Sequence, residues 1–170
     1  MSIFIRISLF SFFLVNISVA NNEDLSKSLD QYSYKPFKFV NNKQTSNAPY
    51  ITAKVNGKKA YVLLDSGSSG VSIFNNSLTE LNLKGSDSST YSANMSGEIS
   101  KDKTVVLKNI KIGDILLKNI KSGITNQPKK MSLPTIVLGT KLLDKYNALF
   151  DFSASKVFFQ NRSFRQKIII

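Results

Sequence analysis

The chain has 170 residues, 23 Lys and Arg against 11 Asp and Glu, and neither His nor Cys, for a formal charge of +12. Without imidazole or thiol it can build no Ser-His-Asp or Cys-His nucleophile system, no His or thiolate zinc site and no disulfide. A general base working at neutral or acidic pH must then be a carboxylate, and a chain this long can bury one ordinary core without cross-links.

In chain order, Met1 to Arg6 forms a small positive start, Ile7 to Val15 an apolar stretch, and Ser18-Val19-Ala20 the small residues that precede a signal-peptidase cut. Residues 1–20 therefore read as a signal peptide cleaved after Ala20, and the protein as exported, either periplasmic or secreted. The stretch is shorter than the roughly 20 apolar residues that span a bilayer. An uncleaved anchor is the alternative. Loss of Arg6 with this segment leaves 22 basic against 11 acidic residues. Residues 21–47 are polar and mixed, with Tyr32, Tyr34, Phe37 and Phe39 alternating in the middle, which suggests one leading strand in an otherwise loose arm. A pro-segment, a dimer strand and an ordinary edge strand all fit it, the last best. Residues 48–170 read as one folded domain.

Ile51, Ala53 and Val55 alternate, Asn56-Gly57 is the dipeptide favoured in two-residue hairpin turns, and a returning strand runs from Lys59 to Leu64. The apolar run Tyr61 to Leu64 predicts burial on both faces. It ends on Asp65-Ser66-Gly67-Ser68-Ser69-Gly70, a carboxylate in a polar, glycine-bearing turn. An ordinary turn cap would use the same residue types. The apolar approach and the missing His and Cys favour chemistry instead, and of the 11 acidic residues only Asp65 is followed by such a turn.

Downstream, Ser77 and Glu80 stand at capping-box spacing with Leu78 and Leu81 three apart, which predicts a short structural helix over Asn75 to Leu81. Tyr91 to Ile99 and Lys103 to Leu107 read as one hairpin, and Ile110 to Leu117 as a second, turning at Gly113-Asp114. Leu142, Leu143, Tyr146 and Leu149 fit a short amphipathic helix ending near Asn147. Leu149 to Ser153 opens a hairpin to Val157-Phe158-Phe159, which gives Asp151 a structural part.

Val62-Leu63-Leu64-Asp65-Ser66-Gly67-Ser68-Ser69, followed by Thr135-Ile136-Val137-Leu138-Gly139 and a short helix, resembles the single-lobe, retropepsin-like aspartic proteases from about Pro49 to Phe159. The resemblance implies an all-β fold, a single-lobe closed β-barrel or sandwich with one or two short helices. Asp65 would be the catalytic acid or base. Ser66, in place of the Thr of many relatives, would bond backbone across a dimer axis. Gly67 would bring its amide to the carboxylates, and Ser68 would donate to the outer oxygen of Asp65. The flap over bound peptide would have its tip at Asn94-Met95-Ser96-Gly97, although no Gly-Gly tip is present and a plain surface hairpin fits equally.

A dyad needs two carboxylates sharing a proton, and this chain supplies one, so a symmetric homodimer must supply the other. The expected function is an exported aspartic endopeptidase hydrolysing peptide bonds of a peptide or protein substrate, with no cofactor and no metal. Its activity should follow a bell-shaped profile from acidic to near-neutral pH. The alternative is an inactive retropepsin-like module that binds a peptide or envelope partner.

The lysines look scattered, with Lys58-Lys59 and Lys129-Lys130 the adjacent pairs, and no nucleic-acid motif accompanies them. Their charge favours weak contact with an anionic envelope surface. Sequons at Asn75, Asn94 and Asn161 matter only in a cell that glycosylates exported proteins. Ile168-Ile169-Ile170 either pairs across a dimer or forms a sticky tail.

Overall fold

The computed structural model describes residues 22–41, 45, 48–93, 96–126 and 133–160. The segments read as a signal peptide and as a C-terminal tail lie outside them, as do Asn94 and Met95. The elements are α1 (Asn22–Asp30), β1 (Tyr34–Lys38), β2 (Tyr50–Val55), β3 (Lys58–Leu64), β4 (Val71–Phe74), α2 (Asn75–Glu80), β5 (Ser86–Ala93), β6 (Ile99–Ile112), β7 (Ile115–Thr125), β8 (Thr135–Leu138), α3 (Thr140–Lys145), β9 (Leu149–Asp151) and β10 (Lys156–Gln160). Among the described residues no helix is long and apolar enough to cross a membrane.

Six strands close into a barrel in the order β2-β3-β8-β4-β7-β6, with β6 returning to β2 through Lys54↔Lys111 and Val55↔Ile110. β5 extends from β6 as an outer strand, and β1, β10 and β9 form a separate three-stranded sheet. Closure follows from alternation. Ile51, Ala53 and Val55 of β2, Val62 and Leu64 of β3, and Ile115 and Leu117 of β7 all turn inward and are buried. Each fully buried Val, Leu or Ile contributes roughly 1.5–3 kcal/mol relative to exposure. β8 is buried at every position, as expected of a central strand covered on both sides.

Local chemistry places the turns. Asn56 and Gly57 take φ 49° and 88°, the left-handed pair that joins two strands tightly. Gly113 has φ 54°, and a Cβ there would lie 2.7 Å from the Phe37 ring, so a side chain at 113 would force that ring to move as well as strain the turn. That sheet adds Val157 and Phe159 to the core, with the Phe37 and Phe159 rings 5.6 Å apart. The segment read as a loose arm is thus partly tied down. β1 pairs with β10 along its whole length as an edge strand, where Pro36 is tolerated.

Several expectations are corrected. The predicted two-faced burial of β3 is one-faced: Val62 and Leu64 are buried but Tyr61 and Leu63 only partly so. Ser77 does not cap a helix. α2 already starts at Asn75, and the Ser77 hydroxyl is fully buried, accepting from the Thr135 N–H at 2.8 Å and reaching the Thr135 carbonyl at 3.3 Å. It fastens α2 to β8.

The two central hairpins share one long strand. β6 runs unbroken through residues 99–103, so the first turn lies between Ala93 and Ile99. The inward side of β6 changes from Val105 and Leu107 to Ile110 and Ile112, opposite Asn119, which has φ 54°. Leu149 belongs to β9 rather than to α3. Asp151 is structural as expected, its Oδ1 accepting from the Ser153 hydroxyl and the Ala154 N–H.

Candidate active site

β3 and β8 run parallel, with Leu64 beside Leu138, so both strands deliver their next residues to the same end of the barrel. The Asp65 N–H extends this pairing by donating to the Leu138 carbonyl at 3.0 Å. Residue 65 is therefore held by the sheet even though it opens a turn. Its side chain is half-buried, and Oδ1 accepts from the Gly67 N–H at 2.8 Å. A Cβ on Gly67 would stand 3.2 Å from that oxygen, closer than ordinary contact. Asp65 also accepts at its backbone carbonyl from the Ser68 N–H, at 3.3 Å.

The Gly67 amide thus makes the contact expected of it, while Ser68, expected to donate to the carboxylate, instead closes the turn with its amide. Ser66 is exposed, and its hydroxyl forms no hydrogen bond to a described residue. Ser96 and Gly97 lie in the β5–β6 turn, Gly97 with φ 79°.

A second loop wraps the first. The Gly139 N–H donates to the Gly70 carbonyl at 2.8 Å, the Thr140 N–H to the Ser68 carbonyl at 2.7 Å and the Lys141 N–H to the Ser69 carbonyl at 3.3 Å. The Thr140 hydroxyl also donates to the Ser68 carbonyl. Four donors from the start of α3 thereby fix the backbone of the Asp65 turn. The Leu138-Gly139 motif marked the place of this loop in the sequence but not its partners.

Beside the turn lies a cleft of about 570 Å³. Its floor is Gly67 to Ser72, and its other walls include Thr90 to Ala93 of β5, Asp102 and Thr104 of β6, Lys121 of β7 and Lys141 of α3. The β5–β6 hairpin forms one side, and the residues of this hairpin that face the cleft are those nearer the barrel rather than Ser96 and Gly97. Sequence reading missed Thr90, Asp102 and Lys121. The alternation of residues backward from the tip was the available signal, but the strand bounds were misplaced. The lining is rich in hydroxyls, and Asp102 accepts from the hydroxyls of Ser92 and Ser100. An extended peptide could find hydrogen-bond partners along this wall. Among the described residues no three acidic side chains gather as a metal site.

The family model for aspartyl proteases matches residues 51–142, more than half of the chain and the stretch that holds both loops. The chain is similar in structure to a retropepsin-like aspartic protease from Rickettsia conorii, at 20% sequence identity and a TM-score of 0.50, with 74% of this chain and 88% of that one covered. At that identity the likeness speaks for the fold. No curated protein matches the chain. A six-stranded barrel that brings an Asp-Ser-Gly turn and a Leu-Gly loop together at one end, and a family match across both, lead to one assignment: the chain belongs to the aspartyl protease family and has the retropepsin-like fold.

Proposed function

We propose that the protein is an exported aspartic endopeptidase that works as a homodimer, with Asp65 of each subunit forming the catalytic pair. The observation that carries this reading is the Asp65 carboxylate, oriented by the amide of Gly67, the residue at which the floor of an open cleft walled by the β5–β6 hairpin begins. In the pair, one carboxylate takes a proton from a water molecule as its oxygen attacks the peptide carbonyl, and the other donates a proton to the carbonyl oxygen. Collapse of the resulting tetrahedral diol breaks the C–N bond as the first carboxyl gives the departing nitrogen the proton it took from water and a hydroxyl of the diol returns a proton to the second carboxylate. Such a mechanism calls for two carboxyl groups with one proton between them, which a symmetric pair of Asp65 residues would provide.

Ser66 fits a contact across the twofold axis, because its hydroxyl is exposed and has no described partner in its own chain. Gly67 and the loop from Gly139 to Lys141 are positioning residues: they hold the turn so that no reorganisation is needed during reaction. The β5–β6 hairpin serves as the flap. Export rests on the apolar, small-residue-terminated segment of residues 1–20.

The test compares the wild-type chain with Asp65→Asn on a mixed peptide library at several pH values. Products from wild type and none from the variant are expected. The same product profile from both ends the hydrolase reading and favours a module that only binds peptide. Sedimentation at micromolar concentration tests the pairing, and a strict monomer in active preparations rules out a two-chain site.

A further inference from the structure

The barrel exterior carries a row of like charges that the linear sequence disperses. Lys54 of β2 stands directly opposite Lys59 of β3 on one side and Lys111 of β6 on the other. Lys111 in turn faces Leu116 of β7, and Lys118, two positions further along β7, shares that face. Directly opposed residues of antiparallel neighbours have Cβ atoms roughly 5 Å apart, and like charges so placed destabilise a sheet. All four lysines are exposed. None forms an ion pair with a described carboxylate. Lys59 rests over the Tyr61 ring, 5.4 Å from its centroid, and the one acid in the adjoining turn, Asp114, is likewise unpaired.

We propose that this face seats the protein on an anionic lipid surface. Cations lined up against their mutual repulsion, with no internal anion, are complementary to an external array of negative charge. The chemistry favours lipid headgroups over nucleic acid. The face is an open sheet, it presents lysines without arginine, and Leu116, 46% exposed, stands at the end of the row. Lysine stems can lie along such a surface while their ammonium groups reach phosphates. Lys59 and Asp65 are six residues apart along β3, or roughly 20 Å. None of the four lysines lines the cleft, so a protein held by the row keeps its cleft lining out of that contact. This surface is independent of whether peptides are hydrolysed.

The experiment is co-sedimentation of the full chain with phosphatidylcholine vesicles and with vesicles carrying about 30% phosphatidylglycerol, the neutral set cancelling any binding by the apolar first twenty residues. Three chains are compared: wild type, K54Q/K59Q/K111Q, and K27Q/K84Q/K145Q, which removes equal charge from exposed sites elsewhere. Wild type is expected to prefer the anionic vesicles, with affinity falling as salt rises. The row variant should lose roughly a hundredfold in that preference. The control variant should keep most of it. The row variant should also melt no lower than wild type, since relieved repulsion offsets any loss. Equal binding to both vesicle types, equal loss in the two variants, or binding to heparin without binding to anionic vesicles overturns the proposal.

Discussion

The carbonyl oxygen of Ser68 fills the space that a side chain at Gly139 would need: a Cβ built there would lie 2.3 Å from it, and 2.5 Å from the Gly70 carbonyl oxygen. Both contacts are to backbone, so neither neighbour can swing aside. Gly139→Ala must push the two loops apart and break the bonds from residues 139–141 to the Asp65 turn. We expect a loss of about 3 kcal/mol or more of stability, seen as a lower denaturation midpoint with an unchanged slope. Unaltered stability would mean that the loops are not interlocked.

Gly67→Ala separates positioning from folding. The new methyl would crowd the Asp65 Oδ1 from 3.2 Å in a turn otherwise open to solvent. A carboxylate displaced by a fraction of an ångström should lower kcat/KM by roughly ten- to a hundredfold. The melting temperature should barely move. Full activity on the best library peptide would remove Gly67 from the positioning set.

Ser77→Ala addresses the joint between α2 and β8. It deletes the fully buried hydroxyl to which the Thr135 N–H donates, so stability should fall by about 1–3 kcal/mol. Calorimetry reads the effect. The Asp65 turn lies at the other end of β8, so the proposed peptide cleavage should be unchanged per folded molecule.

Asp151 sets a pH dependence of stability. Its carboxyl is held below the ordinary carboxylate range by the Ser153 hydroxyl and then the Ala154 N–H, with burial opposing them and Lys156 adding to them. Because the folded-state value lies below the unfolded one, this contribution is present above the unfolded value and is lost as pH falls through the folded one. Ser153→Ala should therefore lower the melting temperature at pH 7, and the gap to wild type should narrow below about pH 4. A gap that widens in acid would reverse the assignment.

Features of the site written in contiguous residues were legible in advance. Asn56-Gly57 announced its turn, the apolar run of β3 announced the strand that ends on Asp65, and Gly113-Asp114 announced the second hairpin. What depends on partners distant in sequence was not. Ser77 sat at a capping-box spacing, yet its hydroxyl goes to Thr135, 58 residues away. The helix α1 carries only two apolar residues, Leu25 and Leu29, whose four-residue spacing went unread in a segment otherwise polar. The lysine row is a matter of register: Lys54 and Lys111 meet only because β6 closes the ring onto β2. The cleft lining was obscured by a misplaced strand boundary, since on a strand a shift of one residue exchanges the faces.

The parallel pairing of β3 with β8 has a consequence for biosynthesis. Asp65 leaves the ribosome long before Leu138, yet only the later strand can hold its turn in shape. Contacts of such long sequence separation form late. A nascent chain, or one cut short ahead of Thr135, carries the acid without its support, and so the Asp65 turn takes its shape only after β8 has emerged.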